Sequence, residues 1–355
     1  MNKKFGYRLF VGLLVMLLTG SLCGCSEEED RGKVVFTAGL GKDELFRIDE
    51  VSCTLPEYML YLTNTKNRYE GVFGSQIWDV TYEGTSFEEN MKEIVLAKIA
   101  QMKSVYLLAQ EKGVELTEAE SRKLEQAANA YFSSLSEAEI TQLNVTKEMV
   151  LQLYTEYTLA DKVYQQIIAQ VNPEISDDEA RAVTVEQIMM RKQTSDGRGN
   201  VIVYTEKTQA ESLAKMEEIR EMVLAGERDF TEMVGKYNEA EDGQITFQKG
   251  EMDQAIEAVA FRLQTDEVSP VIETNQGYYL LKCTSTFDRE QTDANKLVLI
   301  EERKNQAFGQ EYDAFVKKLA RKLNDDLWEK IELPEGSEIK TESFFEVYEE
   351  YFPAQ

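Results

Sequence analysis

Apolar residues recur at helical spacing along most of the chain between residues 55 and 172. The clearest case is TSFEENMKEIVLAKIAQMKSVYLLAQEKG. Here Ser86 and Glu89 make a capping box at the start, and Gly113 stands where a glycine commonly ends a helix. The pattern predicts an all-helical region with large apolar faces. Such faces either pack on each other or line an open groove for unfolded chains, because exposed apolar patches mark binding sites.

The hydrophobic pattern changes at about residue 175. AVTVEQIMMRK alternates β-branched and apolar residues and predicts a strand, whereas EKTQAESLAKMEEIREMVLAG, RDFTEMVGKYN and GEMDQAIEAVAFRL predict helices. VSPVIETN then leads into GYYLLKC, which predicts another strand. Strands and helices mixed in this order are typical of a small α+β domain.

Helical spacing returns after residue 290. It predicts a helix of about 30 residues starting at DANKLVLIEERKNQ, a strand in WEKIEL and a short helix in TESFFEVYEEYF. Near the other end of the chain, VVFTAG and ELFRID predict two short strands around a turn. The predicted fold class is therefore α+β: a mostly helical domain built from the N- and C-terminal segments, with a small α+β domain inserted.

The N-terminus carries an export pattern. MNKKFGYR is positively charged, and the apolar run LFVGLLVMLL is shorter than the roughly 20 residues that cross a bilayer, so residues 1–24 are predicted to be a secretory signal peptide. The sequence LCGC ending at Cys25 resembles a bacterial lipobox, whose cysteine is diacylated. Two acyl chains anchor a protein stably, and residues 25–33 then form a polar tether. An ordinary signal peptide with an incidental Cys25 is the alternative.

The amino-acid composition excludes several classes of partner and catalytic site. The formal net charge is −26, which argues against nucleic acid as a partner because such binding depends on basic contacts to phosphate. The chain contains no histidine, so Ser-His-Asp and Cys-His nucleophiles and imidazole zinc sites are excluded. It has no glycine motif for nucleotide phosphates. We therefore predict no metal and no cofactor.

Two cysteines remain in the predicted mature chain besides Cys25. Cys53 and Cys283 could pair in an oxidising compartment, provided that their Cα atoms come within about 7 Å. Two unrelated buried thiols are the alternative.

The inserted segment resembles a known family. VEQIMMRK is followed by DF-x-x-M-x-x-x-Y, by G-x-x-x-F-x-x-G-x-M-x-x-x-I-E-x-x-A-F-x-L and by E-V-S-P-V-I-E-x-x-x-G-Y-Y-L-L-K. This order is similar to that of parvulin-type peptidyl-prolyl isomerase domains, over about residues 183–285. With the lipobox and the helical flanks, the whole chain resembles PrsA-type extracytoplasmic foldase lipoproteins and the related SurA-like chaperones.

The resemblance implies a domain organisation and a location. The implied parts are a signal peptide at 1–24, a tether at 25–33, a helical chaperone domain at 34–180, a parvulin-like domain at 181–288, and a C-terminal helix and tail at 289–355 that pack on the N-terminal domain. The protein would be lipid-anchored through Cys25 on the extracytoplasmic side of the cell membrane. Its partners would be unfolded or nascent exported polypeptides, and its reaction the rotation of X-Pro bonds, which is slow without a catalyst.

The residues at the centre of the resemblance depart from the family pattern. The family has a histidine in its first strand and another in its last strand, where this chain has Gln187 and Tyr279. In the loop where the family has Asp or Cys, this chain offers Glu239 or Asp242. These positions are the candidate catalytic residues, because glutamine and tyrosine side chains both donate and accept hydrogen bonds.

The implied substrate-binding residues are Met252, Ile256 and Phe261, which correspond to the proline pocket of the family. Met252 and Phe261 agree with the family, whereas Ile256 replaces an expected phenylalanine. Two hypotheses follow. Gln187 and Tyr279 form a hydrogen-bonded pair that keeps reduced isomerase activity, or the domain is non-catalytic and binds clients only.

Overall fold

The computed structural model describes residues 39–353 apart from 83, 197, 199, 335 and 337. The predicted signal peptide, Cys25, the tether and all but the last residue of VVFTAG lie outside these residues. Within them, no helix is both long and apolar enough to span a bilayer. The described chain divides into a first unit of residues 39–170 with 307–353 and a second unit of residues 171–306.

The helices in chain order are α1 (Leu55–Phe73), α2 (Phe87–Glu111), α3 (Glu118–Ser134), α4 (Glu137–Leu143), α5 (Lys147–Ile168), α6 (Asp177–Ala180), α7 (Glu206–Leu224), α8 (Phe230–Tyr237), α9 (Gln254–Ala260), α10 (Arg289–Val316), α11 (Asp325–Trp328) and α12 (Phe344–Tyr351). The strands are β1 (Glu44–Ile48), β2 (Val51–Thr54), β3 (Thr81–Tyr82), β4 (Thr85–Ser86), β5 (Ala182–Arg191), β6 (Gln193–Ser195), β7 (Val201–Val203), β8 (Gln244–Gln248), β9 (Ile272–Glu273), β10 (Gly277–Ser285) and β11 (Arg321–Leu323). A short 3₁₀ helix covers Ser75–Asp79.

Several helices of the first unit begin at a capping box. Thr54, Ser86, Thr117 and Ser136 each accept a hydrogen bond from the backbone N–H three residues later, and the glutamate at that position caps in return. These bonds satisfy donors that a helix start would otherwise leave unpaired. The predicted capping box at Ser86 is confirmed. Gly113 follows α2 with φ of +66°, a left-handed conformation that favours glycine.

The first unit also holds an antiparallel sheet in the order β11-β1-β2. Strand β11 corrects the sequence prediction. The predicted helix of about 30 residues ends at Val316, and residues Arg321–Leu323, which follow it, form β11. The predicted strand in WEKIEL is also wrong, since Trp328 ends α11 and the residues after it belong to no strand. Backbone groups on the open edge of β1 pair with β11, and this long-range pairing overrides the local helical pattern.

The C-terminal tail, residues 338–353, enters the core of the first unit. Phe344 is 1% exposed, and its ring centroid lies 5.3, 5.1 and 4.8 Å from those of Tyr61, Tyr131 and Tyr154. Asn64 Oδ1 accepts a hydrogen bond of 3.1 Å from the backbone N–H of Phe344. The tail is thus held both by aromatic packing and by a buried amide.

Glu139 makes a second attachment for the tail. Its carboxylate accepts hydrogen bonds from the backbone N–H groups of Lys340 at 2.8 Å and Thr341 at 2.7 Å. Burial by itself raises the pKa of Glu139, but these bonds and the cap at Ser136 outweigh it and hold the pKa below its ordinary value. The carboxylate therefore stays ionised while it holds the tail.

A buried charge network lies between α1, α2 and α5. Lys103 is fully buried, and its Nζ lies 2.8 Å from an oxygen of Glu156 and 3.4 Å from one of Glu57. Gln152 donates to the second oxygen of Glu156 at 3.0 Å. Burial by itself lowers the pKa of Lys103, but the charges of Glu156 and Glu57 outweigh burial and hold this pKa above its ordinary value. For Glu57, burial outweighs the opposing charge of the lysine and raises the pKa of the carboxyl. The lysine stays charged because two carboxylates compensate it.

The second unit is built on an antiparallel sheet in the order β8-β5-β10-β9. Alternate residues of β10 face two different clusters: Tyr279 and Leu281 face one, and Tyr278 and Leu280 face the other. The sequence pattern missed β8 and the β6–β7 hairpin, because these strands have five residues or fewer and β7, although it is Val-Ile-Val, lies exposed. The predicted α+β fold class, with both chain ends in the helical unit, is confirmed.

The two described cysteines are free. Cys53 is buried in the core of the first unit and Cys283 in that of the second. The structure thus supports the alternative of two separate buried thiols.

Candidate functional site

A glycine fixes the position of Tyr279 in β10. A Cβ atom on Gly277 would lie 2.4 Å from the carbonyl oxygen of Met190, so only glycine allows the strands to approach at this point. Thr274 closes the preceding turn, where its hydroxyl accepts from the backbone N–H of Gly277 at 3.2 Å. The register then places Tyr279 opposite Met189.

Tyr279 presents its ring to an apolar cluster. The residue is 6% exposed and packs in the cluster that contains Leu281. Burial raises the pKa of its hydroxyl, Asp253 adds to the shift, and Arg191 opposes it. The hydroxyl therefore stays protonated at neutral pH and can donate a hydrogen bond.

Gln187 lies on the same face of the sheet as Tyr279, one diagonal step away, because its partner in the register is Leu281. It is 5% exposed, and its side-chain Nε2 donates to the carbonyl oxygen of Asp242 at 2.9 Å. Among the hydrogen bonds of the described residues there is none between Gln187 and Tyr279. The structure brings the two residues to one face without joining them.

The loop after α8 is tied to β5. Asn238 Oδ1 accepts from the backbone N–H of Met189 at 3.0 Å, and a carboxylate oxygen of Glu239 accepts from that of Arg191 at 2.7 Å. The contact of Asp242 with Gln187 uses its backbone carbonyl and not its carboxylate. The structure therefore gives Glu239 a bond to the end of the strand, and Asn238 is a residue of the site that the sequence reasoning missed.

The three predicted pocket residues belong to the cluster of Tyr279. Ile256 is 2% exposed within this core, whereas Met252 and Phe261 pack against it and remain partly exposed. The guanidinium of Arg181 lies 5.2 Å from the ring centroid of Phe261 and donates to its carbonyl oxygen at 3.0 Å. Met252 therefore stays partly exposed, whereas the ring of Phe261 has the cations of Arg181 and Lys249 lying over it.

The arrangement suits non-covalent chemistry. A protonated tyrosine hydroxyl borders an apolar cluster, and fixed dipoles of this kind can stabilise a polar group without a covalent step. No group of three or more acidic or cysteine side chains in the described part of the chain is placed to hold a metal ion.

The first unit has an open groove of about 730 Å³. Helices α1, α2 and α5 and the tail all contribute to it. Its apolar and aromatic lining residues are Tyr61, Tyr69, Val72, Phe73, Val95, Ile99, Met102, Tyr157 and Phe345. The sequence left open whether the apolar faces pack together or line a groove, and the structure shows both, since most of them are buried in one core.

Some groove residues present large apolar surface to solvent. Val72 is 74% exposed, Phe73 55% and Tyr69 38%, and all three lie on the last turns of α1. Exposed apolar surface that clusters at one place marks an interaction site. The tyrosines and phenylalanines of PEYMLYLTNTKNRYEGVF and TESFFEVYEEYF were the sequence signal for this groove.

Part of the second unit matches a known protein family. Residues 188–285 match the rotamase family, described as the PPIC-type PPIASE domain. The foldase protein PrsA of Caldanaerobacter subterraneus subsp. tengcongensis is 25% identical over 334 residues, which cover 89% of this chain and 95% of the relative. The foldase protein PrsA of Halalkalibacterium halodurans is 29% identical over 155 residues, which cover 41% of this chain and 43% of the relative.

A solved structure is also similar. The crystal structure of the peptidylprolyl isomerase PrsA from Bacillus cereus matches at 19% identity with a TM-score of 0.35 and covers 76% of this chain and 97% of that chain. The predicted resemblance to parvulin-type isomerases and PrsA-type foldases is confirmed by the family match and the curated relatives.

Proposed function

We propose that this chain, whose residues 188–285 match the PPIC-type PPIASE domain, is an extracytoplasmic folding factor for exported proteins. The relatives named above are foldase proteins. Unfolded or nascent exported polypeptides would bind in the groove of the first unit. The observation that carries this proposal is the exposed apolar surface of that groove at Tyr69, Val72 and Phe73.

A lipid anchor at Cys25 is part of the proposal. The short apolar run ahead of LCGC supports it, because it fits an export signal better than a bilayer span. Two acyl chains on one cysteine give stable anchoring. The protein would then act on clients that emerge at the outer face of the cell membrane.

In the catalytic form of the proposal, the domain retains reduced isomerase activity. The barrier to rotation of a peptide bond is about 18–20 kcal/mol, and no covalent step is needed to lower it. Met252 and its neighbours would hold the proline ring, and the Tyr279 hydroxyl would donate to the amide as it twists. Gln187 would act by holding the loop at Asp242 in place.

Client binding without isomerisation is the second candidate function. The two histidine positions of the family are Gln187 and Tyr279 here, and the amide nitrogen of Gln187 already bonds to a backbone carbonyl. Ile256, at the position of an expected phenylalanine, is buried in the core. These observations favour a domain that kept its fold while its isomerase chemistry was lost.

Client binding in the groove is tested by Phe73→Ser. We expect the concentration of protein that halves the aggregation of an unfolded client to rise about fivefold, because removing the ring loses about 1 kcal/mol of apolar contact. Light scattering of a diluted, chemically unfolded client gives the measurement. Leu224→Ser is the matched control, since Leu224 is 56% exposed but lies in the second unit. If both variants protect the client as well as the unaltered chain does, the groove is not the client site.

Catalysis is tested by Tyr279→Phe in a protease-coupled prolyl isomerisation assay. The change removes one hydroxyl from the site and leaves the ring, so we expect about a tenfold loss of kcat/KM, which corresponds to about 1.4 kcal/mol. Tyr278→Phe is the control, because Tyr278 lies on the other face of the same strand. Histidine at both 187 and 279 should raise the rate.

Two results would argue against the catalytic form. A rate for the unaltered chain that equals the rate in buffer, with client protection intact, would establish client binding alone. An unchanged rate in Tyr279→Phe would show that Tyr279 serves the core only.

A further inference from the structure

The groove of the first unit carries charged side chains in addition to its apolar walls. Arg68 on α1 and Lys98 on α2 supply positive charge, and Glu342, Glu346 and Glu349 of the tail supply negative charge. Arg68 acts on Glu349, because burial raises the pKa of that carboxyl and the guanidinium opposes the shift. Arg68 and Glu349 therefore compensate each other in part.

Lys98 differs from three other partly buried lysines of the first unit that pair with a carboxylate. Lys66, Lys92 and Lys162 lie 2.9, 3.2 and 2.7 Å from a carboxylate oxygen of Glu70, Glu88 and Glu120. Lys98 has no carboxylate within 4.0 Å among the residues that the structure describes. Burial lowers its pKa, and the neighbouring charge of Arg68 adds to the shift.

The side chain of Lys98 is partly buried in the wall of the groove, and no carboxylate of the described residues lies within ion-pair distance of it, although the sequence contains 65 acidic and 39 basic residues. A partly buried cation without a partner costs free energy, and an anion that enters the same space removes this cost. Ile99 and Met102 lie beside Lys98 on the groove wall and add apolar surface next to the cation.

We propose that Lys98 is a carboxylate-binding site inside the groove, so that the preferred occupant is an apolar polypeptide segment carrying an acidic side chain. The inference rests on the proposed function, in which the groove binds unfolded clients. The apolar side chains of the segment fill the space between Tyr69, Phe73 and Phe345, and its carboxylate pairs with Nζ of Lys98. Glu342 and Glu346 are exposed at the tail wall, where a basic side chain of the same segment is favoured.

The test uses two short fluorescent peptides, acetylated and amidated at their ends, with a central glutamate or glutamine among leucine and aromatic residues. The full chain should bind the glutamate peptide about tenfold more tightly, which corresponds to about 1.4 kcal/mol, because a charge-assisted hydrogen bond in a partly desolvated site is stronger than a neutral one. Fluorescence anisotropy at low salt gives both dissociation constants. A third peptide with glutamine and a free C-terminal carboxylate shows whether a chain end can replace the side chain.

Two variants locate the effect. Lys98→Met should bind both peptides with the affinity that the glutamine peptide has for the unaltered chain, and Lys98→Arg should keep the preference. Equal affinity of the unaltered chain for the two amidated peptides overturns the carboxylate site while leaving groove binding intact. Binding of the free-carboxylate peptide alone overturns the assignment to a side chain, and a preference that survives in Lys98→Met overturns the assignment to this lysine. Failure of every peptide to bind overturns the proposed function itself.

Discussion

Replacing Lys103 with methionine is expected to lower the free energy of unfolding of the first unit by about 3–5 kcal/mol. The change leaves Glu57 and Glu156, which are 4% and 2% exposed, without the cation that compensates them. A buried carboxylate without a partner carries the full desolvation cost. Urea unfolding followed by tryptophan fluorescence reports on this unit alone, because both tryptophans of the chain, Trp78 and Trp328, lie within it.

The pH dependence of the free energy of unfolding of the Lys103→Met variant is an independent test of the charge argument. Burial raises the pKa of Glu57, and loss of the lysine removes the main opposing charge. A group whose pKa is raised by folding takes up a proton as the chain folds, so it destabilises the fold most above that pKa. The loss of stability should therefore shrink as the pH falls toward the raised pKa of Glu57.

Two control variants separate the charge effect from simple packing. Lys112→Met removes the partner of Glu311 in an ion pair whose side chains are 35% and 41% exposed, and it should cost no more than about 1 kcal/mol. Lys103→Met combined with Glu57→Gln and Glu156→Gln should recover most of the loss, because glutamine still caps α1 and no buried charge remains. A Lys103→Met variant as stable as the Lys112→Met variant would contradict the charge argument.

Replacing Phe344 with alanine is the second large effect, with an expected loss of about 3–5 kcal/mol from the first unit. The ring is 1% exposed and contacts Tyr61, Tyr131 and Tyr154, so its removal leaves a cavity that these rigid rings cannot fill. The same urea experiment measures the change. Limited proteolysis should also cleave the tail near residue 344 faster, because the aromatic anchor is gone.

Phe73→Ala is the matched control for Phe344→Ala. Phe73 is 55% exposed, so its truncation should change the free energy of unfolding by less than about 1 kcal/mol. Equal losses in the two variants would show that the hydrogen bonds of Asn64 and Glu139, and not the ring, hold the tail.

Prediction from the sequence succeeded where the signal is local. Ser86 and Glu89 cap α2 as predicted, because a capping box involves groups three residues apart. The alternation in β10 correctly placed Tyr278 and Tyr279 on opposite faces, because side-chain direction in a strand follows from backbone geometry alone.

The sequence by itself therefore determined the helix starts, the faces of the main strands, the α+β class and the likeness to parvulin-type domains. The tertiary structure alone decided which distant groups meet. Lys103 meets Glu156 across 53 positions, and Asn64 meets the backbone of Phe344 across 280. It also decided that β11 leaves its helical pattern to pair with β1, that Gln187 bonds to Asp242 instead of Tyr279, and that Lys98 lies in the groove wall without a carboxylate partner among the described residues. These outcomes depend on how packing divides burial and partners among segments far apart in the chain, and no local pattern contains that information.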